Sequence, residues 1–231
     1  MDIFAFSDIH SQKELFDKIY TWLNGRSAPW KCYFLGDACG YGTFGYEIIK
    51  VLLNDSRFVY LKGDHEQIFA SAAMVLKTEW LKHKVAAKDL FNNPKQYIWD
   101  YLYLPEVALC IDNEGFAALF NWIKDGAPMD IIHSLLELPE NVVLSQEICG
   151  FISLSHTGSN EQTNDCTIIH GHTPVEELKE DSSFNFPNND IRPAFYYKGK
   201  RIDLDTKCYT TNTITVLNLN TFEQHRFTTL I

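Results

Sequence analysis

The sequence predicts an α/β (α+β) fold: a β-sandwich flanked by helices, with a helical cap inserted over residues 66–138 of one 1–231 domain. Three observations lead there. Short apolar runs alternate with helical periodicity over the first 61 residues, which is the pattern of a parallel sheet with crossover helices. Each of those runs ends in a cluster of Asp, His and Gly, and alternating apolar stretches return near the C-terminus.

Residues 2–6 form the first apolar run and end at Ser7-Asp8. Leu15, Ile19, Tyr20, Trp22 and Leu23 then repeat at helical spacing over residues 12–23. A second buried strand over 32–35 ends at Gly36-Asp37. Ile48, Ile49, Leu52 and Leu53 mark another helix before a third strand, 58–61, which ends at Gly63-Asp64. From 66 to 138 the chain is helix-like and aromatic, without repeats or low-complexity linkers, as an inserted cap would be. Strand-like runs resume at 150–155, ending at His156, and at 166–169, ending at His170-Gly171-His172. The polar segment 180–192 reads as a loop. Stretches near 194–204, 213–219 and 223–229 read as a closing antiparallel meander.

Bulk properties exclude several classes. Hydrophobic residues make up 45% of the 231, enough to bury a core without disulfides or a structural metal. The formal net charge of −10 opposes a sequence-independent grip on nucleic acid and adhesion to anionic membranes. The six cysteines are scattered without a CxxC pair, as expected of reduced thiols in a cytoplasmic protein. Neither a signal-peptide pattern nor an apolar run near the ~18 residues of a membrane span is read.

The strand ends carry Asp8-Ile9-His10, Gly36-Asp37, Gly63-Asp64-His65-Glu66, His156 and Gly171-His172. In open α/β sheets, polar groups beyond the carboxyl ends of strands converge in space. Carboxylate oxygens mixed with imidazoles suit manganese, iron or zinc rather than calcium or a thiolate zinc site. Two such cations sharing a ligand would provide what a phosphate ester needs: a water made acidic enough to attack, and a clamp on both ends of the displacement.

In this order the motifs resemble those of the calcineurin-like metallophosphoesterase superfamily, in its phosphoprotein-phosphatase-like branch with bacterial Ser/Thr protein phosphatases and diadenosine tetraphosphatases. The family pattern GDxHG, GDxxDRG, GNHE, HAG and GHTP is matched by Ser7-Asp8-Ile9-His10-Ser11, Gly36-Asp37-Ala38-Cys39-Gly40-Tyr41-Gly42, Gly63-Asp64-His65-Glu66, His156-Thr157-Gly158 and Gly171-His172-Thr173-Pro174. Ile202-Asp203-Leu204-Asp205-Thr206 is similar to the family's late IDTG strand. The resemblance implies the four-layer sandwich of that family and a two-metal centre. Asp8, His10 and Asp37 would hold one cation, Asp37 would bridge to a second completed by Asp64, His156 and His172, and His65 would be the general acid. The implied activity is hydrolysis of a phosphomonoester, on a phosphoprotein or small molecule, by metal-bound hydroxide. The alternatives are a hydrolase of dinucleoside polyphosphates or other phosphodiesters, and a metal-binding recognition scaffold with weak turnover.

The departures from the pattern carry information as well. Asp64 stands for the family's Asn, so three carboxylates would face two divalent ions and leave a formal +1. Gly40 replaces an Asp and Tyr41 replaces an Arg that grips phosphate, and a phenol cannot act as a charged bidentate fork. Tyr41, Arg192 and Arg201 are the candidate substrate contacts, with Lys200 beside them, and His170 is read as an outer partner of the centre. Glu66 is read as a brace for its helix. Taken singly, an Asp-x-His pair or a Gly-Asp after a strand is usually a turn; five in order, each after a strand, are not.

Overall fold

The computed structural model describes residues 1–70, 72–73, 142–144, 167–172, 174–175, 194–196 and 201–230. Most of the predicted cap over 66–138, the strand at 150–155, the loop at 180–192, and His156, Arg192 and Lys200 lie outside them.

The first three apolar runs become strands β1 (Asp2–Phe6), β2 (Trp30–Phe34) and β3 (Phe58–Tyr60), joined by helices α1 (Lys13–Asn24) and α2 (Gly45–Asn54). All three strands are parallel, in the order β3-β2-β1. A third helix, α3, opens at residue 64 and is helical over 64–70. β4 (Val142–Leu144), β5 (Thr167–His170), β6 (Ala194–Tyr196) and β7 (Arg201–Asp203) make a second sheet in the order β4-β5-β7-β6. A four-residue helix, α4 (Cys208–Thr211), leads into β8 (Thr213–Asn218) and β9 (Gln224–Thr228), which extend the first sheet beyond β1.

The expected meander is therefore divided. β6 and β7 pair antiparallel in one sheet, whereas β8 and β9 pair antiparallel in the other. Alternating patterning marks a half-buried strand but not the sheet it joins, which is why the sequence merged them.

Strand alternation sorts the core into two layers. Ile3, Ala5, Tyr33, Leu35, Leu61, Leu217 and Leu219 of the first sheet meet Leu144, Ile169, Ile202 and Leu204 from the second. Phe4, Phe6, Cys32, Phe34, Phe58 and Tyr60 face the other way, onto Leu15, Phe16, Ile19 and Leu23 of α1 and Ile48, Ile49 and Leu52 of α2. The helix pattern read from the sequence is thus the face that covers the sheet. Cys32, Cys39 and Cys208 are free thiols buried in these surroundings. Among the described residues no helix is long and apolar enough to cross a membrane.

Sandwiching two sheets puts the carboxyl ends of β1, β2, β3, β5 and β7 on one rim. That rim is where the polar clusters fall.

Candidate metal centre

The loops after β1 and β2 run side by side, tied by backbone bonds from Asp8 N–H to the Gly36 carbonyl (3.0 Å), His10 N–H to Asp37 (3.0 Å) and Ser11 N–H to Ala38 (2.8 Å). Asp8, His10, Ser11, Asp37, Tyr41 and His172 all adopt positive φ, between 43° and 72°. Non-glycine residues seldom hold this left-handed conformation, at a cost of roughly 1–2 kcal/mol each, and such residues gather where a site requires them.

Two groups of donor atoms result. His10, Asp37 and His65 place one ligand atom each within 4.8 Å of one another, and so do Asp37, Asp64 and His172. Asp37 belongs to both. Asp8 stands beside the first group, its Oδ1 3.9 Å from His10 Nε2, and its two carboxylate oxygens accept from the His172 N–H at 3.1 and 3.2 Å. The Asp64 carboxylate lies 3.3 Å from His172 Nδ1. Of the residues read from the sequence, the rim thus gathers Asp8, His10, Asp37, Asp64, His65 and His172. His65, read as an acid, sits at ligand range of His10 and Asp37. His170, fully buried, has Nδ1 3.0 Å from the Gly171 carbonyl and 3.8 Å from Asp203 Oδ1, and it joins neither group. Arg201 contributes its backbone to β7.

The residues around these donors are shaped to leave them room. A Cβ on Gly63 would fall 1.9 Å from Asp37 Oδ1, and one on Gly171 would fall 2.0 Å from Asp8 Oδ2. Only glycine at the ends of the third and fifth strands lets these carboxylates occupy their positions. The carbonyl of Cys39 lies 3.1 Å from His10 Nδ1, which fixes the ring and leaves Nε2 toward the cluster. The thiol of Cys208 points at the carbonyls of Asp8 (3.0 Å) and Ile9 (3.3 Å), bracing the same turn from α4.

Glu66 does more than brace its helix. Its buried carboxylate accepts from the backbone N–H of Gly63 (2.6 Å), Asp37 (3.0 Å) and Ala38 (2.6 Å), so it clamps the loop after β3 to the loop after β2. Sequence alone places Glu66 on a helix; the long-range acceptor role appears only when two distant loops meet. Glu66→Gln keeps the shape but turns one acceptor into a donor facing other donors. The expected loss is about 1–3 kcal/mol of stability, about 2–4 °C in Tm per kcal/mol for a domain this size, and a 10–100-fold weaker manganese affinity. Thermal unfolding and calorimetric titration read both; an unaltered affinity would remove Glu66 from the site's support.

The electrostatics fit a cation-binding cluster. Burial raises Asp8 well above the usual carboxylate range, with Asp205 adding to it; burial likewise raises Asp37, with Asp8, Glu66 and Asp64 adding to it. Burial lowers His10 to about 3, reinforced by His65, so its imidazole is neutral and ready to coordinate at neutral pH. Burial would raise Asp64 too, but the His172 hydrogen bond and the His65 charge outweigh it and hold Asp64 below its ordinary value. Protons therefore compete with cations for Asp8 and Asp37 more strongly than they would for ordinary carboxylates, and do not compete for His10 at neutral pH. Because raised carboxylates keep their protons to higher pH, affinity is expected to fall as pH drops, by up to about tenfold per pH unit for each proton released. Calorimetry in two buffers of different ionisation enthalpy would detect that release, and identical heats would contradict it.

These donors suit divalent cations: hard oxygens with neutral imidazoles, converging around one shared carboxylate, in space kept open by two glycines.

A family model described as calcineurin-like phosphoesterase matches residues 1–204. No curated protein matches the chain by sequence. Among solved structures, one provisionally described as a diadenosine tetraphosphatase shares 12% identity over 99% of this chain and 94% of its own, with a TM-score of 0.58. A metallophosphoesterase from Sphaerobacter thermophilus shares 13% over 100% and 88%, TM-score 0.57. A protein serine/threonine phosphatase from Saccharomyces cerevisiae shares 11% over 100% and 81%, TM-score 0.51. At such identities the likeness is one of fold.

Proposed function

Because this chain belongs to the calcineurin-like phosphoesterase family, we propose that it is a metal-dependent phosphatase that cleaves phosphomonoesters at two cation positions joined by Asp37. The observation that carries this reading is the sharing of Asp37 between the two donor groups. Asp8 and His10 would hold one position with Asp37. Asp64 and His172 would hold the other, and the family resemblance would add His156. Two divalent cations, manganese first and iron or zinc as substitutes, acidify a water and neutralise charge on the phosphoryl oxygens when bound.

The chain's own residues supply the rest. The Cys39 carbonyl keeps His10 in one tautomer and Glu66 accepts from the Asp37 N–H; His65, grouped with His10 and Asp37, would give a proton to the departing alkoxide. Tyr41, Arg192 and Arg201 are the candidates for meeting the phosphoryl group.

The test is a panel of esters with manganese-loaded protein: phosphomonoesters, a phosphopeptide, a phosphodiester and diadenosine tetraphosphate. Turnover of the monoesters, abolished by chelation and restored by manganese, is expected. Turnover of the dinucleotide or diester alone would move the activity to the alternative substrate class. Phosphate binding with no turnover of any ester would make the protein a recognition scaffold.

A further inference from the structure

We propose that Tyr41 and Tyr209 together form a binding face for a planar aromatic ring carried on the leaving group of the substrate. The proposal rests on the phosphatase reading above and deepens it to a substrate class: phosphate esters of alcohols that bear an aryl ring or a nucleobase.

The two phenol rings are stacked, with centroids 4.0 Å apart and planes within 5° of parallel. Both meet His10 edge-on, at 5.0 Å for Tyr41 and 5.1 Å for Tyr209. Tyr41 also leans on His65, with centroids 5.4 Å apart, and His65 meets His10 at 4.5 Å. Two imidazoles therefore form the inner edge of a four-ring cluster and two phenols the outer edge. The pair is assembled from loops far apart in the chain, one after β2 and one on α4, and it lies at the rim of the donor groups rather than in either core layer.

Tyr41 remains 56% exposed although it packs against three rings. It is also one of the residues at positive φ, at 56°, beside Gly40 at 89° and Gly42, where a Cβ would lie 2.7 Å from that of Ser11. A surface tyrosine held in a strained turn between two constrained glycines presents its ring in one direction. A stacked aromatic pair with open ring surface extends by a further ring at low ordering cost, because the face exists before the ligand arrives.

The position of the pair selects which part of the substrate it meets. His65 is the imidazole beside the departing oxygen in the reading above, and Tyr41 packs on His65. The ring that would add to the stack is then on the departing alcohol. A phenol at this place gives up the charge of an arginine fork and provides planar apolar contact instead, so selectivity for the leaving group replaces strength on the phosphate.

The experiment uses the manganese-loaded full chain and ester pairs matched in leaving-group chemistry. Benzyl phosphate against cyclohexylmethyl phosphate isolates ring planarity; adenosine 5′-monophosphate against ribose 5-phosphate asks whether the ring is a nucleobase. Wild type is expected to favour the planar member of at least one pair by about tenfold in kcat/KM, the size of a single stacking contact. Tyr41→Leu and Tyr209→Leu should collapse that ratio, while Tyr41→Phe and Tyr209→Phe retain it. Equal rates within both pairs in wild type, or a ratio that survives in the Leu variants, would overturn the proposal. So would a ratio lost equally in the Phe variants, since the hydroxyl rather than the ring would then be responsible. Calorimetry with benzylphosphonate and cyclohexylmethylphosphonate reads the same preference as binding. If no ester is turned over, the phosphatase reading fails while a planar preference in binding would uphold the aromatic face, and equal affinities would reject it.

Discussion

Gly63→Ala is expected to remove metal binding from this protein with no donor atom changed. The added Cβ would lie 1.9 Å from Asp37 Oδ1 and 2.8 Å from both its Cγ and its backbone N. Turning the carboxylate aside would not suffice, because the backbone itself is in the way. Either the strand end or the Asp37 loop must shift, at about 1–3 kcal/mol for a forced overpacking. The shift also displaces the carboxylate shared by both donor groups. Manganese affinity is expected to fall by at least about 100-fold, the upper range for losing support of a ligand. Gly25→Ala provides the control. That glycine follows α1 at φ −77°, and a Cβ there would make only ordinary contacts of 3.5 and 3.6 Å. It should keep full metal affinity and gain about 0.4–1 kcal/mol of stability through the unfolded chain. Calorimetric titration and thermal unfolding of the two variants side by side distinguish a steric cradle from a general intolerance of substitution.

Asp37→Asn is expected to separate stability from activity. The amide preserves the shape and can still accept from the His65 N–H, which lies 3.1 Å from Oδ1. It removes a charge that burial and the neighbouring Asp8, Glu66 and Asp64 all disfavour. The metal-free variant should therefore melt higher than metal-free wild type. Its turnover should fall by more than about 100-fold, beyond what loss of an outer partner causes, because both donor groups lose the carboxylate they share. Equal losses of stability and activity would mean that Asp37 holds the fold together rather than cations.

How far the sequence anticipates this depends on the range of each interaction. β1, β2 and β3 and the two helices between them were legible because periodicity is local: Phe4 and Phe6 against Ile3 and Ala5 already encode which face meets helix and which meets sheet. The polar strand ends were legible because each follows its strand directly, so parallel topology brings Asp8, Asp37 and Asp64 to one rim. β4 and the four residues of α4 were missed, being too short for a periodic signal. The division of β6–β9 between two sheets was missed because alternation does not name a partner strand. Tyr209 has no motif, and its contact with Tyr41 exists only once α4 packs beneath the Asp8 turn. Glu66 was read as local, but its acceptor bonds reach back to Asp37 and Ala38, 29 and 28 residues earlier. What sequence reading lacked was not chemistry but the closure of long loops.

Support for the centre extends outward in the same way. Buried Asp203 is raised by burial and by Asp205, and Asp205 adds to the rise at Asp8. Carboxyl groups thus crowd behind the donor groups as well as within them. A rim so rich in acids is held against its own repulsion by the fold, and cations relieve that repulsion when they bind.

The most direct test is the metal stoichiometry and magnetic coupling of chain reconstituted with manganese, by elemental analysis and electron paramagnetic resonance. Two manganese ions per chain, coupled through a shared carboxylate, are expected for wild type, matching the two donor groups that meet at Asp37; the coupling should vanish in Asp37→Asn. A single ion per chain in wild type, or two ions without coupling, would contradict a centre built around Asp37.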